Sequence, residues 1–402
     1  MLDIRGERTV GPVTDRIRTV ADDSPAPMGR VDMRADDLIH VTGRDGSAEE
    51  LSPINGVALV VVDLRSGDWL DVSAIAIESL PCVVVARTSA TTSEAEAALA
   101  AYCDVVLGDP VSGGPGFTGA SGASAASAAS AASAASAADG IRAVFADEAQ
   151  VDELFATILA NPLAAASLAL LLRSQSGRTI EEGLVAESTT YSLLQSGPEF
   201  ARWLSSRPTR APRVQQGPSV RIERDDDVLR LTISRPQVHN AFDRSVRDGL
   251  TEGLELALAD PSIRRVVLSG DGPSFSSGGD LDEFGSFADP VSSHLTRLTR
   301  SPARLVARFN ALRTRVEVHL HGACMGAGIE LPAFATHIVA DPDSRLALPE
   351  LRYGLIPGAG GTVSVTRRIG RHRSAYLGLS GRTIDAATAL RWGLVDRIEP
   401  RP

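Results

Sequence analysis

Residues 321–331 read His321-Gly322-Ala323-Cys324-Met325-Gly326-Ala327-Gly328-Ile329-Glu330-Leu331. The stretch follows a strand pattern and leads towards a helix. A Gly-rich turn of this kind exposes backbone N–H groups that no helical carbonyl can take up. Moving outward, a second such turn lies upstream, Phe275-Ser276-Ser277-Gly278-Gly279-Asp280-Leu281. A third element lies downstream and places a glutamate ahead of a Gly-rich helix opening: Leu348-Pro349-Glu350-Leu351-Arg352-Tyr353-Gly354-Leu355-Ile356-Pro357-Gly358-Ala359-Gly360-Gly361-Thr362. Two Gly-rich turns side by side can aim two N–H donors at one oxygen, which is how an oxyanion is stabilised. Singly, each turn is a weak signal, and a lone glutamate is most often a solvated surface charge.

Strands and helices alternate around these turns. Val228 to Ile233 reads as a strand, Ser245 to Leu258 as an amphipathic helix, and Val266-Val267-Leu268 as a strand ending in Gly270-Asp271-Gly272. Alternating βα units imply an α/β fold with a mostly parallel sheet.

The three turns, in this order, resemble the F-x-x-G-x-D, G-x-x-x-G-G-G-x-E and P-E-x-x-x-G-x-x-P-G-x-G-G motifs of the enoyl-CoA hydratase/isomerase (crotonase) superfamily. Arg235-Pro236 with Asn240-Ala241-Phe242, and Ala389-Leu390-Arg391-Trp392-Gly393-Leu394-Val395-Asp396, add to the likeness. It implies a crotonase-type spiral of ββα units over residues 220–402. It also implies roles. The N–H groups of Gly279 and Ala327 would hold a thioester carbonyl oxygen as an enolate forms. Glu330 would activate a water, Glu350 would deliver a proton to the α-carbon, and Gly358 would present its N–H and the field of a helix N-terminus near that water. Two carboxyls sharing one proton suit hydration, because repulsion keeps one neutral near pH 7.

The implied activity is hydration of a 2-enoyl-CoA thioester. The alternatives are another acyl-CoA reaction of the superfamily (double-bond isomerisation or ring-substrate hydration) or a non-catalytic acyl-CoA-binding subunit. Members that only shift a double bond can lack the carboxylate matching Glu330, so the presence of both favours hydratase. The resemblance implies a homo-oligomer, a trimer or dimer of trimers. It implies no metal and no cofactor, the CoA thioester being substrate.

Two departures stand out. Ala327 occupies a usual glycine position, which is harmless if the turn there does not require positive φ. The strand Arg315-Val316-Glu317-Val318-His319-Leu320-His321 places Glu317, His319 and His321 on one face. That face is either an extra acid/base group beside the acyl pocket or a polar sheet face or subunit contact.

Upstream the chain changes character. Residues 1–50 are rich in Asp, Arg, Pro and Gly and lack periodicity, so a poorly ordered arm is expected. Val57 to Val62, Cys82 to Val85 and Asp104 to Leu107 read as strands, the first two buried on both faces, and Ser93 to Ala101 as a helix. Residues 51–112 are expected to be a degenerate crotonase-like α/β region. In support, Ala101-Tyr102-Cys103-Asp104-Val105-Val106-Leu107-Gly108-Asp109-Pro110 matches Ala333-Phe334-Ala335-Thr336-His337-Ile338-Val339-Ala340-Asp341-Pro342 without gaps. This upstream copy has neither Gly-rich turn nor either glutamate.

Residues 113–140 are a Ser/Ala/Gly-rich linker. Residues 141–207 are expected to be helical. Val151, Leu154, Phe155 and Ile158 carry helical spacing, Asn161-Pro162 and Gly197-Pro198 open further helices, and Thr179 with Glu182 forms a capping box. Residues 208–219 are a second linker. Crotonases continue past their G-L-V-D motif into helices that wall the acyl pocket, whereas six residues follow Asp396 here. Residues 146–207 resemble that tail, with Glu187, Tyr191 and Phe200 to Arg207 matching. The expectation is that the upstream copy lends its tail to the second copy's site; the alternative is that residues 51–207 are only a docking or assembly domain.

Composition sets the remaining bounds. The 402 residues carry net charge −10, with 43% hydrophobic and 4% aromatic residues, so the core is aliphatic. No basic face argues for nucleic acid. All 40 basic residues are arginine, so any side chain meeting a phosphate is a planar guanidinium. Three scattered cysteines, an N-terminus without an apolar leader and no apolar run long enough to span a bilayer give the expectation of a cytoplasmic protein without membrane association.

Overall fold

The structure is a computed structural model, and it describes residues 29–43, 46–65, 77–88, 94–108, 143–208, 217–286, 289–309 and 315–401. The expected 113–140 linker, most of the 208–219 linker and the first 28 residues lie outside these. Two sheets built on one plan dominate. The upstream sheet has five parallel strands in chain order: β1 (Gly29–Arg34), β2 (Val57–Asp63), β3 (Val83–Thr88), β4 (Val105–Gly108) and β5 (Val144–Phe145). Downstream, β6 (Val220–Asp225) pairs antiparallel with β7 (Val228–Ile233). Parallel strands β8 (Arg265–Gly270), β9 (Arg315–Leu320), β11 (His337–Ala340) and β14 (Arg397–Ile398) continue that sheet. A second layer holds β10 (Ala323–Met325), β12 (Arg345–Ala347) and β13 (Ile384–Asp385). Each turn of the spiral gives one strand to the large sheet, then a shorter one to this layer.

The two sheets share register as well as order. Val85 faces Val105 and Leu107 faces Val144 in the first; Glu317 faces His337 and Val339 faces Arg397 in the second. At the same place in each, a side chain 20 residues on caps the strand-leading N–H: Asp104 accepts from Val84, and Thr336 accepts from Val316. The ten-residue likeness in sequence is thus one part of a likeness in topology and pairing.

Strand β2 shows why its sequence is an unbroken β-branched run. Leu59 and Val61 face the helices and the main core, while Val60 and Val62 face a separate small core with Val31, Leu38, Val84 and Val106. Full burial of each such side chain contributes roughly 1.5–3 kcal/mol. The expected poorly ordered arm over 1–50 is corrected for its described part, from residue 29 on. Gly29–Arg34 is an edge strand on β2, and Ala35–Thr42 is a helix that buries Leu38 and Val41. An edge strand has one paired side and half its side chains in water, so it lacks the apolar run that marks a central strand. The expected limits of the upstream region shift likewise: β5, within the segment expected to be helical, completes the first sheet.

Four helices, Glu148–Ala160, Pro162–Arg173, Ile180–Gln195 and Pro198–Ser205, lie between the two sheets in sequence, and they contact the first sheet on one hand and helices of the second unit on the other. Asp147 with Gln150 and Thr179 with Glu182 form capping boxes, and Pro162 and Pro198 sit in first turns. The expected stripe of Val151, Leu154, Phe155 and Ile158 is buried. Arg173 anchors the second helix to the first sheet: its guanidinium donates to both Asp104 oxygens (2.6 and 2.8 Å) and to the carbonyls of Ile77, Leu80 and Cys82. Among the described residues no single helix is long and apolar enough to cross a membrane.

Candidate active site

The first two Gly-rich turns lie side by side at the second layer. Met325 N–H donates to Ser276 (3.0 Å) and Ser276 N–H to Ala323 (3.1 Å). Gly328 and Gly278 are needed for this approach: a Cβ at the former would stand 2.5 Å from the Ser276 carbonyl oxygen, and at the latter 2.7 Å from that of Met325. Arg235 and Asn240 fix the first turn. Buried Arg235 pairs with Asp280 and Asp243, and the Asn240 amide donates to the carbonyls of Asp271 and Ser274. The N–H groups of Gly279 and Ala327 have no acceptor among the described residues, and both residues line one cavity of about 210 Å³. Ala327 opens the Ala327–Glu330 helix with ordinary φ, and the positive φ falls on Gly326, so alanine fits at this position.

Both glutamates reach the same cavity. Glu330 is buried, and its Oε2 accepts from the N–H groups of Ala359 (2.7 Å) and Gly361 (2.9 Å). Glu350 is buried, and its Oε2 has no hydrogen-bond partner. The two converge over Gly326, where a Cβ would lie 2.3 Å from Glu350 Oε1 and 3.7 Å from Glu330 Oε1. Burial, then repulsion from Glu350 and from Glu187, pushes Glu330 well above the usual carboxyl range. Burial and then Glu187 push Glu350 up to about 8. A pair held this way keeps a proton near neutral pH.

Gly358 also lines the cavity, packed against the Tyr191 ring from the upstream Ile180–Gln195 helix; a Cβ there would lie 2.5 Å from the ring. Arg297 stacks on the Tyr191 ring, 4.5 Å from its centroid, and donates to Ser188, Ser192 and Ser293. One helix turn before Tyr191, Glu187 accepts from Gly360 N–H (2.7 Å), Thr362 N–H (2.8 Å) and the Thr362 hydroxyl (2.7 Å). Trp203, also from upstream, packs 4.9 Å from Tyr353, beside the Glu350 turn. Leu184, Phe284 and Leu331 add apolar wall, and Arg244, Arg247 and Arg300 stand at the mouth.

All five residues singled out in sequence, Gly279, Ala327, Glu330, Glu350 and Gly358, therefore border one cavity. Glu317, His319 and His321 do not line it. Glu317 and His319 bond each other (2.6 Å) on a half-exposed sheet face, and His321 bonds the Gly272 carbonyl. Among the described residues no group of three or more His, Cys, Asp and Glu is placed to hold a metal. Glu187 was legible only as a match to a family tail; its spacing of four from Tyr191 was the available hint that both face one way.

Two free N–H donors and two buried carboxyls with raised proton affinity, bordering one cavity, are equipment for stabilising an oxyanion and moving a proton beside it. Residues 223–402 match the family model for enoyl-CoA hydratase/isomerase. The chain is 34% identical over 179 residues to the 2,3-dehydroadipyl-CoA hydratase of Escherichia coli (strain K12), covering 44% of this chain and 68% of that one. It is 34% identical over 178 residues to the mevalonyl-coenzyme A hydratase of Beauveria bassiana, covering 43% and 64%. Among solved structures, the enoyl-CoA hydratase from Thermoplasma volcanium GSS1 shares 32% identity over 46% of this chain and 73% of its own, with a TM-score of 0.42. The chain belongs to the enoyl-CoA hydratase/isomerase family.

Proposed function

We propose that the protein adds water across the double bond of a 2-enoyl-CoA thioester. The observation that carries this reading is the convergence of Glu330 and Glu350 over Gly326, both bordering the cavity of the two free N–H groups, with one Glu350 oxygen buried and unpartnered. In the proposed cycle the thioester oxygen accepts from Gly279 and Ala327 N–H. Water held by Glu330 and Gly358 N–H attacks the β-carbon. Glu330 takes the water proton as electron density moves onto the thioester oxygen. Glu350 then gives its proton to the α-carbon, and the two carboxyls re-equilibrate. One proton is removed and one delivered, so the pair returns to its starting state. The arginines at the mouth suit the phosphates of CoA, their planar forks matching phosphate oxygens.

Loss of the crotonyl-CoA enone absorbance tests the reading. Wild type is expected to hydrate, and Glu330→Gln and Glu350→Gln each to lose about 10²–10⁴-fold in kcat. Equal rates in all three proteins would sink the proposed roles.

A further inference from the structure

The Gly361–Ile369 helix opens inside the protein, so its leading N–H groups need acceptors other than water. Two carboxyls from different halves of the chain divide them. Glu330 takes Ala359 and Gly361; Glu187 takes Gly360 and Thr362. We propose that Glu187 is a positioning residue of the site: it clamps the 358–362 turn, so that Glu330 and the Gly358 N–H hold their directions, and its charge sets the proton count of the Glu330–Glu350 pair. This deepens the hydratase reading and rests on it for the identity of the reaction.

The geometry excludes a simpler role. Both Glu187 oxygens are engaged, one by Gly360 and the other by Thr362, so neither is free to handle a substrate proton. A capping carboxylate could come from any short side chain, yet this one reaches in from 173 residues upstream and borders the cavity. The groups facing it are few. Its own helix offers Tyr191. The Pro290–Thr299 helix offers Arg297, with His294 one step away on Ser188. The remaining elements offer Glu330, Glu350 and Thr362; Arg173, on the neighbouring helix, is committed to Asp104. Three carboxyls thus face one guanidinium, and an anion at Glu187 disfavours a second and third charge at the pair. Burial raises Glu187 itself to about 7, with the Thr362 and Gly360 donors and Arg297 opposing, so it is charged on the alkaline side where the pair's proton matters.

The test uses the full chain and the pH profile of kcat for crotonyl-CoA. Removing an anion beside the pair lowers the pH at which the pair surrenders its proton. Glu187→Gln is therefore expected to move the alkaline limb down by about one pH unit, the scale of a unit charge at short range in a protein, with KM within about twofold. Thr362→Val deletes one hydroxyl donor to Glu187, making it a weaker acid, and is expected to move the limb the same way by less. A purely structural cap would lower kcat and melting temperature without moving the limb; an unmoved limb in folded variants overturns the proposal. If Glu187→Gln does not fold, Thr362→Val decides alone.

Deuterium exchange at the α-carbon of butyryl-CoA in D₂O separates the two claims. Exchange without hydration overturns the hydratase reading, and the limb of the exchange rate still judges Glu187. A wild type inactive in both assays overturns both.

Discussion

The first and second sheets share order, register and a strand-capping side chain, yet the cavity that holds both glutamates is lined, among the described residues, by the turns of the second. The difference lies in what joins the strands. Between β3 and β4 the first unit has the Glu94–Ala100 helix; between β9 and β11 the second has β10, the Gly326 turn and Glu330. In the first unit the described residues include no second-layer strand. Sheet pairing and active-site construction are thus separable. The sheet is encoded by β-branched runs and their spacing, and the site by a few glycines that admit close approach. What the first unit keeps is its packing face, and through the four helices that follow it, a share in the site of the second.

Removing a glycine from the second unit should be the most severe way to make it like the first. Gly326→Ala places a methyl against Glu350 Oε1 at a residue with φ of +48°, and hydration is expected to fall by about 10³-fold or more, read as kcat on crotonyl-CoA. Next in size is an effect whose sign is fixed by pH. Glu350 binds its proton more tightly folded than unfolded, so its contribution to stability is complete below about pH 4.5 and is lost as pH rises towards about 8. Glu350→Gln should accordingly unfold later than wild type at pH 9, by up to about 5 kcal/mol, with the gap closing at pH 4. The anchor of the first sheet follows. Arg173→Met leaves Asp104 buried without its closest cation and should cost about 3–5 kcal/mol in urea unfolding. The matching hydroxyl in the second sheet carries no charge, so Thr336→Val should cost about 1–2 kcal/mol.

Smallest is Glu317→Gln, within about 0.5 kcal/mol and without change in kcat, since that carboxylate pairs with a half-exposed histidine away from the cavity.

The sequence made some of this legible for identifiable reasons. Strands β2, β3 and β4 are buried on both faces and so carry runs that no helix explains. Strand β1 was missed because Gly-Arg-Val-Asp-Met-Arg is an edge, and β5 because two residues form no pattern. The five cavity residues were readable because each sits in a glycine-spaced motif within 85 residues of the others (Gly279 to Gly358). Glu187 was readable only as a match to the family tail. Its place in the site was not, because its partners lie about 175 residues downstream and two of the three are backbone amides, which leave no trace in residue type.

The position of the four helices in the chain has a consequence in time. They leave the ribosome before the core they cover, and at roughly 5–20 residues per second the span from Val220 to Arg401 takes about 10–40 s more to make. For that interval their apolar faces need a surface. The first sheet, already synthesised, supplies one through Leu59, Val61, Val83 and Val85, which pack in the same cluster as Leu154, Ile158 and Leu168. The wall of the later cavity thus has its packing partner in the chain before the cavity itself is made.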